Sequence, residues 1–109
     1  MVANVNTSGS QTCVISTEHT LVSALTSAGT YQMVMDFTNA ANGDEFEIRY
    51  KGKCRSGDSE VQEQVWTLAN AQTSVLKRFP PILMPVDLSV SLKQVAGTGR
   101  AILWALYAA

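Results

Sequence analysis

The 109-residue sequence predicts an all-β protein, a single antiparallel β-sandwich or small jelly-roll-like barrel, on three observations. Apolar residues recur at every second position in several runs, most clearly over Glu45–Cys54 and Val86–Lys93. Clusters of Ser, Thr, Asn, Gly and Asp separate those runs at short intervals. No segment carries the three-and-four apolar spacing of a helix convincingly, so six to eight short strands must share one core. A chain of this length fills one domain, expected at residues 12–109 behind a flexible arm at 1–11.

Taken in order, residues 1–11 are Asn, Thr, Ser and Gly with isolated valines, a composition that supports an arm better than a packed element. Thr12-Cys13-Val14-Ile15-Ser16-Thr17 is rich in β-branched residues and is expected to be extended. Leu21, Val22, Leu25 and Ala28 have helical spacing, yet Thr20 to Leu25 is read as a short strand over a helical turn, because Thr26-Ser27-Ala28-Gly29 follows as a breaker cluster. Tyr31, Met33, Met35 and Phe37 then alternate with Gln32, Val34 and Asp36, which predicts a strand with one heavy apolar face. Its methionines are core fillers on this reading.

Asn42-Gly43-Asp44 ends a loop over Thr38–Asp44, since these residues tolerate the left-handed conformations of a reversal. In the strand Glu45–Cys54, Phe46, Ile48, Tyr50, Gly52 and Cys54 share one face. Glu45, Glu47, Arg49, Lys51 and Lys53 share the other, expected to be a solvated face with cross-strand ion pairs. Arg55–Ser59 is a polar loop, and Glu60–Asn70 a further strand.

Pro80, Pro81 and the following Pro85 exclude a central strand from Ala71–Met84 and favour an extended crossover or an edge. Ile82, Leu83 and Met84 within it cap the core or form an exposed apolar contact. Val86, Leu88, Val90 and Leu92 face the core while Asp87, Ser89, Ser91 and Lys93 face outward. Gly97-Thr98-Gly99-Arg100 reads as the turn of a hairpin leading into Ala101–Tyr107. That last run is apolar on both parities, with Ile102, Trp104 and Leu106 on one side and Leu103 and Tyr107 on the other. It therefore asks for two burial surfaces, one in the core and one in a second layer or a neighbouring subunit.

Composition narrows the function. Eight Lys and Arg stand against nine Asp and Glu, so no basic field favours nucleic acid. Only 16% of residues are charged, against roughly 25% in typical soluble domains. No apolar run approaches the roughly 20 residues of a membrane helix, and Met1–Gln11 lacks the pattern of a signal peptide. Cytoplasmic synthesis without export and no membrane partner are the expectation.

Cys13 and Cys54 are too few for a zinc site and are expected as buried thiols, with one disulfide as the alternative. His19 has no nucleophile motif beside it, and the Asp and Glu residues form no pair that recommends acid–base chemistry. Gly97–Arg100 lacks the ending of a phosphate loop and any following helix. No enzyme activity, catalytic residue, cofactor or metal is expected. Arg100, at the turn, is suited to clamp a carboxylate of its own chain or of a partner.

Three groups of residues together resemble a family of small proteins encoded by tailed bacteriophages and prophages. They are Thr20-Leu21 with Ala28-Gly29-Thr30-Tyr31 and Asp36; Gly43-Asp44-Glu45-Phe46-Glu47-Ile48-Arg49; and Leu92-Lys93-Gln94 with Gly97-Thr98-Gly99-Arg100 and Trp104. The resemblance runs from Thr20 onward and its C-terminal motif is the most specific part. It implies a structural protein of the virion, assembled in the host cytoplasm, foremost a capsid decoration or cement protein. Such a domain binds the major capsid protein or another virion protein and stabilises the head. It also implies a homo-oligomer, with a trimer as one form. A tail, neck or baseplate subunit is the alternative, as is a module binding a host glycan or peptide through loops such as Arg55–Glu60. Arg100, Trp104, Ile82 and Met84 are the interface candidates.

Overall fold

The computed structural model describes residues 4–25, 29–84 and 87–108, with the side chains of 4–6, 24 and 84 outside that description. Val86, residues 26–28 of the breaker cluster and the Met84 side chain therefore fall outside the described residues. Nine strands are described: β1 (Asn4–Thr12), β2 (Glu18–Leu25), β3 (Gly29–Asp36), β4 (Glu45–Gly52), β5 (Val61–Ala69), β6 (Leu76–Arg78), β7 (Ile82–Met84), β8 (Leu88–Ala96) and β9 (Ala101–Ala108). All pairings are antiparallel. Sheet I has the order β1-β9-β3-β6, with β7 also on β3, and sheet II the order β2-β8-β4-β5. The two sheets pack face to face, so the fold is a β-sandwich.

The period-2 patterns place the core where they predict it. Met33, Met35 and Phe37 from the β3 run, Phe46, Ile48 and Tyr50 from β4, Leu88, Val90 and Leu92 from β8, and Ile102 and Leu106 from β9 are all buried between the sheets. Phe37 meets Phe46 edge to face at 5.2 Å, and Tyr50, Trp66 and Phe79 form a separate aromatic chain. The prolines act as expected. β6 and β7 are two halves of one edge against β3, interrupted by Phe79-Pro80-Pro81.

That interruption exposes backbone groups of β3 that the neighbouring strand no longer serves. The Phe79 N–H donates to Met33 O at 3.0 Å, and the Met33 N–H donates to Tyr50 Oη at 3.1 Å, reaching across the core from sheet II. Burial raises the Tyr50 hydroxyl to about 12 despite that bond.

Four expectations are corrected. Residues 4–11 are not a free arm: they belong to β1, paired antiparallel with β9 with one register shift between Val5 and Thr7. Their backbone, not an apolar pattern, holds them there. Cys13–Thr17 is a turn rather than a strand, with Ser16 at φ 65° and the His19 ring accepting the Val14 N–H through Nε2 at 3.0 Å. β8 and β9 are not a hairpin, because they lie in different sheets. Among the described strands only β4 and β5 are consecutive, paired neighbours. Finally, both cysteines are free but only Cys13 is buried; Cys54 lies past the end of β4 and is exposed. Burial pushes the Cys13 thiol up to about 11.

Candidate functional site

The link from β8 to β9 crosses from sheet II to sheet I, and two buried polar side chains hold it. Gln94 donates through Nε2 to Ala96 O (3.0 Å) and Thr98 O (2.7 Å), while its Oε1 accepts the Arg100 N–H (3.1 Å). Asp44, at the end of the β3–β4 loop, accepts from the Thr98 N–H (3.1 Å), the Ala41 N–H (2.9 Å) and Arg100 Nε (2.7 Å). Burial alone would raise the Asp44 carboxyl. The Ala41 N–H, the Arg100 guanidinium and the Thr98 N–H outweigh it and hold the group below its ordinary value.

Gly97 and Gly99 serve close approach here. A Cβ on Gly97, at φ 93°, would stand 2.7 Å from Asp44 Cα, and one on Gly99 would stand 2.5 Å from Cys13 O. The β1–β2 turn is tied to the same crossing by Cys13 N–H to Arg100 O (2.8 Å) and Ser16 N–H to Gln94 O (2.7 Å). Arg100 thus clamps a carboxylate of its own chain.

The outer face of sheet II is charged. Glu18 on β2 reaches over β8 to Lys51 Nζ (2.9 Å) and Arg49 (3.5 Å) on β4, and Arg49 also contacts Glu47. Beneath them Ser91 Oγ donates to Glu18 (2.6 Å), and Ser89 Oγ donates to Glu60 (2.7 Å). Small serines on β8 let long side chains from both neighbours meet above them. Ser89 and Ser91, expected to face solvent, are buried for that reason. The Ser91 bond, then the Lys51 bond, hold the Glu18 carboxyl below its ordinary value.

Sheet I presents the opposite chemistry. Register alignment puts Val34 beside Ala105, Gln32 beside Tyr107, and Asp36 between Leu103 and Leu76 on its outer face. All of these but Gln32, together with Met35 and Trp104, line a shallow groove of about 190 Å³. Leu103 is 55% exposed, Leu76 49%, and Leu83 further along the same face 72%. Among the described residues, no further layer therefore covers Leu103 in the second apolar parity of Ala101–Tyr107.

Of the described interface candidates, Trp104 alone lines this groove. Trp104 is half-buried against the core, with its indole over Gly9 of β1. Ile82 packs on the core as well. Arg100 is engaged by Asp44, and Leu103, one residue from Trp104, is the side chain that points outward. Val34 and Leu76 carry no sequence signal for this role, because only the β9-β3-β6 pairing brings them beside Leu103. No protein-family model, curated protein or solved structure matches the chain.

Proposed function

We infer that this protein is a structural subunit that seats the outer face of sheet I on a larger protein of a virus particle. The observation that carries this reading is the contrast between the two outer faces. Over β2, β8 and β4 sheet II carries the paired charges of Glu18, Glu47, Arg49 and Lys51, with Val65 exposed on β5, whereas sheet I offers Leu76, Leu103, Ala105 and Tyr107 around a groove. A contiguous apolar patch of this kind marks an interaction surface more often than a solvent face. The resemblance to small virion proteins of tailed bacteriophages supplies the partner class, foremost the major capsid protein in a decoration or cement role.

The test is addition of the purified protein to capsids that lack it, followed by sedimentation and imaging of the particles. Saturable binding at regular sites is expected. Leu103→Asp should weaken that binding at least tenfold while its thermal unfolding stays within a few degrees of the wild type, because Leu103 is more than half exposed. Absence of the protein from washed particles overturns the reading.

A further inference from the structure

A β-sandwich has four sheet edges, and an edge left flat and apolar recruits another strand. Three edges here carry a safeguard. β2 is broken by two register shifts, and β6 and β7 are three residues each, flanking Pro80 and Pro81. β1 shifts register between Val5 and Thr7, and from Thr7 to Thr12 it offers Thr, Ser, Gly and Gln, with no apolar side chain for cross-strand packing.

β5 differs. Its one irregularity falls at Glu63, where Gln62 and Gln64 face the consecutive residues Lys51 and Tyr50. Glu63 is also its only charged residue. From Gln64 to Ala69 the strand is regular, free of Lys, Arg and Pro, and reads Gln-Val-Trp-Thr-Leu-Ala. Among the described residues no strand pairs with its far edge.

The direction of its backbone groups follows from one bond. The Asn70 N–H donates to Asp44 O at 2.8 Å, so Asn70 and Asp44 occupy a hydrogen-bonded position of the β4–β5 ladder. Such positions alternate in an antiparallel pair. Leu68, Trp66 and Gln64 thus turn their N–H and C=O groups to β4, and Val65, Thr67 and Ala69 turn theirs outward. Independently, the Gln72 side chain donates to Ala69 O at 2.9 Å, which places that carbonyl on the free side.

We propose that β5 is a homodimer edge, pairing antiparallel with β5 of a second copy about a two-fold axis at Thr67. In that register Thr67 bonds Thr67 of the second copy through both backbone groups, and Val65 bonds Ala69 in the same way on each side. Trp66 meets Leu68 of the other copy on the inner face, and Leu68 meets Trp66, joining the two cores. Val65 and Ala69 meet on the outer face. Each Glu63 lies beyond the ladder, so no like charges oppose. The carbonyl of Ala69 has a second lone pair for the partner N–H while Gln72 keeps the first. An isologous contact of this kind closes at two subunits.

This inference is independent of the docking role of sheet I. Light scattering and sedimentation equilibrium on the full chain at micromolar concentration should give twice the chain mass. Thr67→Lys places two ammonium groups face to face on the axis at an exposed position, and it should weaken dimerisation roughly tenfold or more without lowering the unfolding temperature. Thr67→Cys in a Cys54→Ser background should cross-link under mild oxidation, since facing hydrogen-bonded positions lie about 5.5 Å apart, within disulfide reach. Ser56→Cys in the same background should not. Leu103→Asp should leave the dimer intact. A monomer, a trimer, or a dimer that survives Thr67→Lys without cross-linking through Thr67→Cys overturns the proposal.

Discussion

Tyr50 shows how one side chain answers a break elsewhere. Its ring packs against Trp66 in the core, and its hydroxyl accepts the buried Met33 N–H that the gap between β6 and β7 leaves without a strand partner. Replacing Tyr50 by Phe preserves the ring and removes only the acceptor. The Met33 N–H is then buried without a bond, which costs about 1–3 kcal/mol. For a domain of this size that is a fall of several degrees in Tm, since each kcal/mol shifts it by roughly 4–8 °C. Thermal unfolding followed by far-UV circular dichroism checks this, and an unchanged Tm would show that the bond contributes nothing. The aromatic face of Tyr50 is legible from the alternation of β4; the role of its hydroxyl is not, because the demand arises in β3.

At the level of elements, the patterns that read correctly are those in which each residue's burial depends on its own strand alone. Phe46, Ile48 and Tyr50 alternate with charged residues, and the structure alternates with them. The β8–β9 link misleads because its local signal is sufficient for a turn and silent about direction. Gly97 and Gly99 permit a tight reversal, but Asp44 and Gln94 decide that it crosses between sheets. Likewise β1 has no apolar pattern, since its place depends on backbone pairing with β9, and the face proposed for docking is only half visible. Leu103 and Tyr107 show as a second apolar parity, whereas Val34 and Leu76 join them through strand order.

The crossing can be tested with two glycines that share a positive φ. Gly43 has φ 94° and Gly97 φ 93°. Alanine at either position costs roughly 1–3 kcal/mol for the left-handed backbone. A Cβ at Gly43 meets nothing within 4 Å, whereas at Gly97 it meets the backbone of Asp44. Gly97→Ala should therefore be the more destabilising of the two in urea unfolding, and the difference isolates the contact. Equal losses would mean that the crossing gives way at little cost.

The whole molecule carries nearly balanced charge, so its response to acid is set by particular carboxylates rather than by general repulsion. Asp44, Glu18 and Asp36 all have folded-state values below their ordinary ones. For such groups stability is present above the unfolded-state value, about 4, and is lost as pH falls through the depressed folded-state value. Tm should be flat between about pH 5 and 8 on account of these groups and should fall below about pH 4. Asp44 is the most deeply buried of the three, where the β3–β4 loop, the end of β5 and the β8–β9 crossing meet. Asp44→Asn removes this titration and turns one acceptor into a donor facing donors. Its cost at neutral pH should be on the order of 1–3 kcal/mol, moderated because Arg100 is 31% exposed and rehydrates. The variant's Tm should decline less steeply below pH 4 than the wild type's. If the two slopes coincide, the acid response belongs to the Glu18 network over sheet II, and Glu18→Gln should flatten it instead.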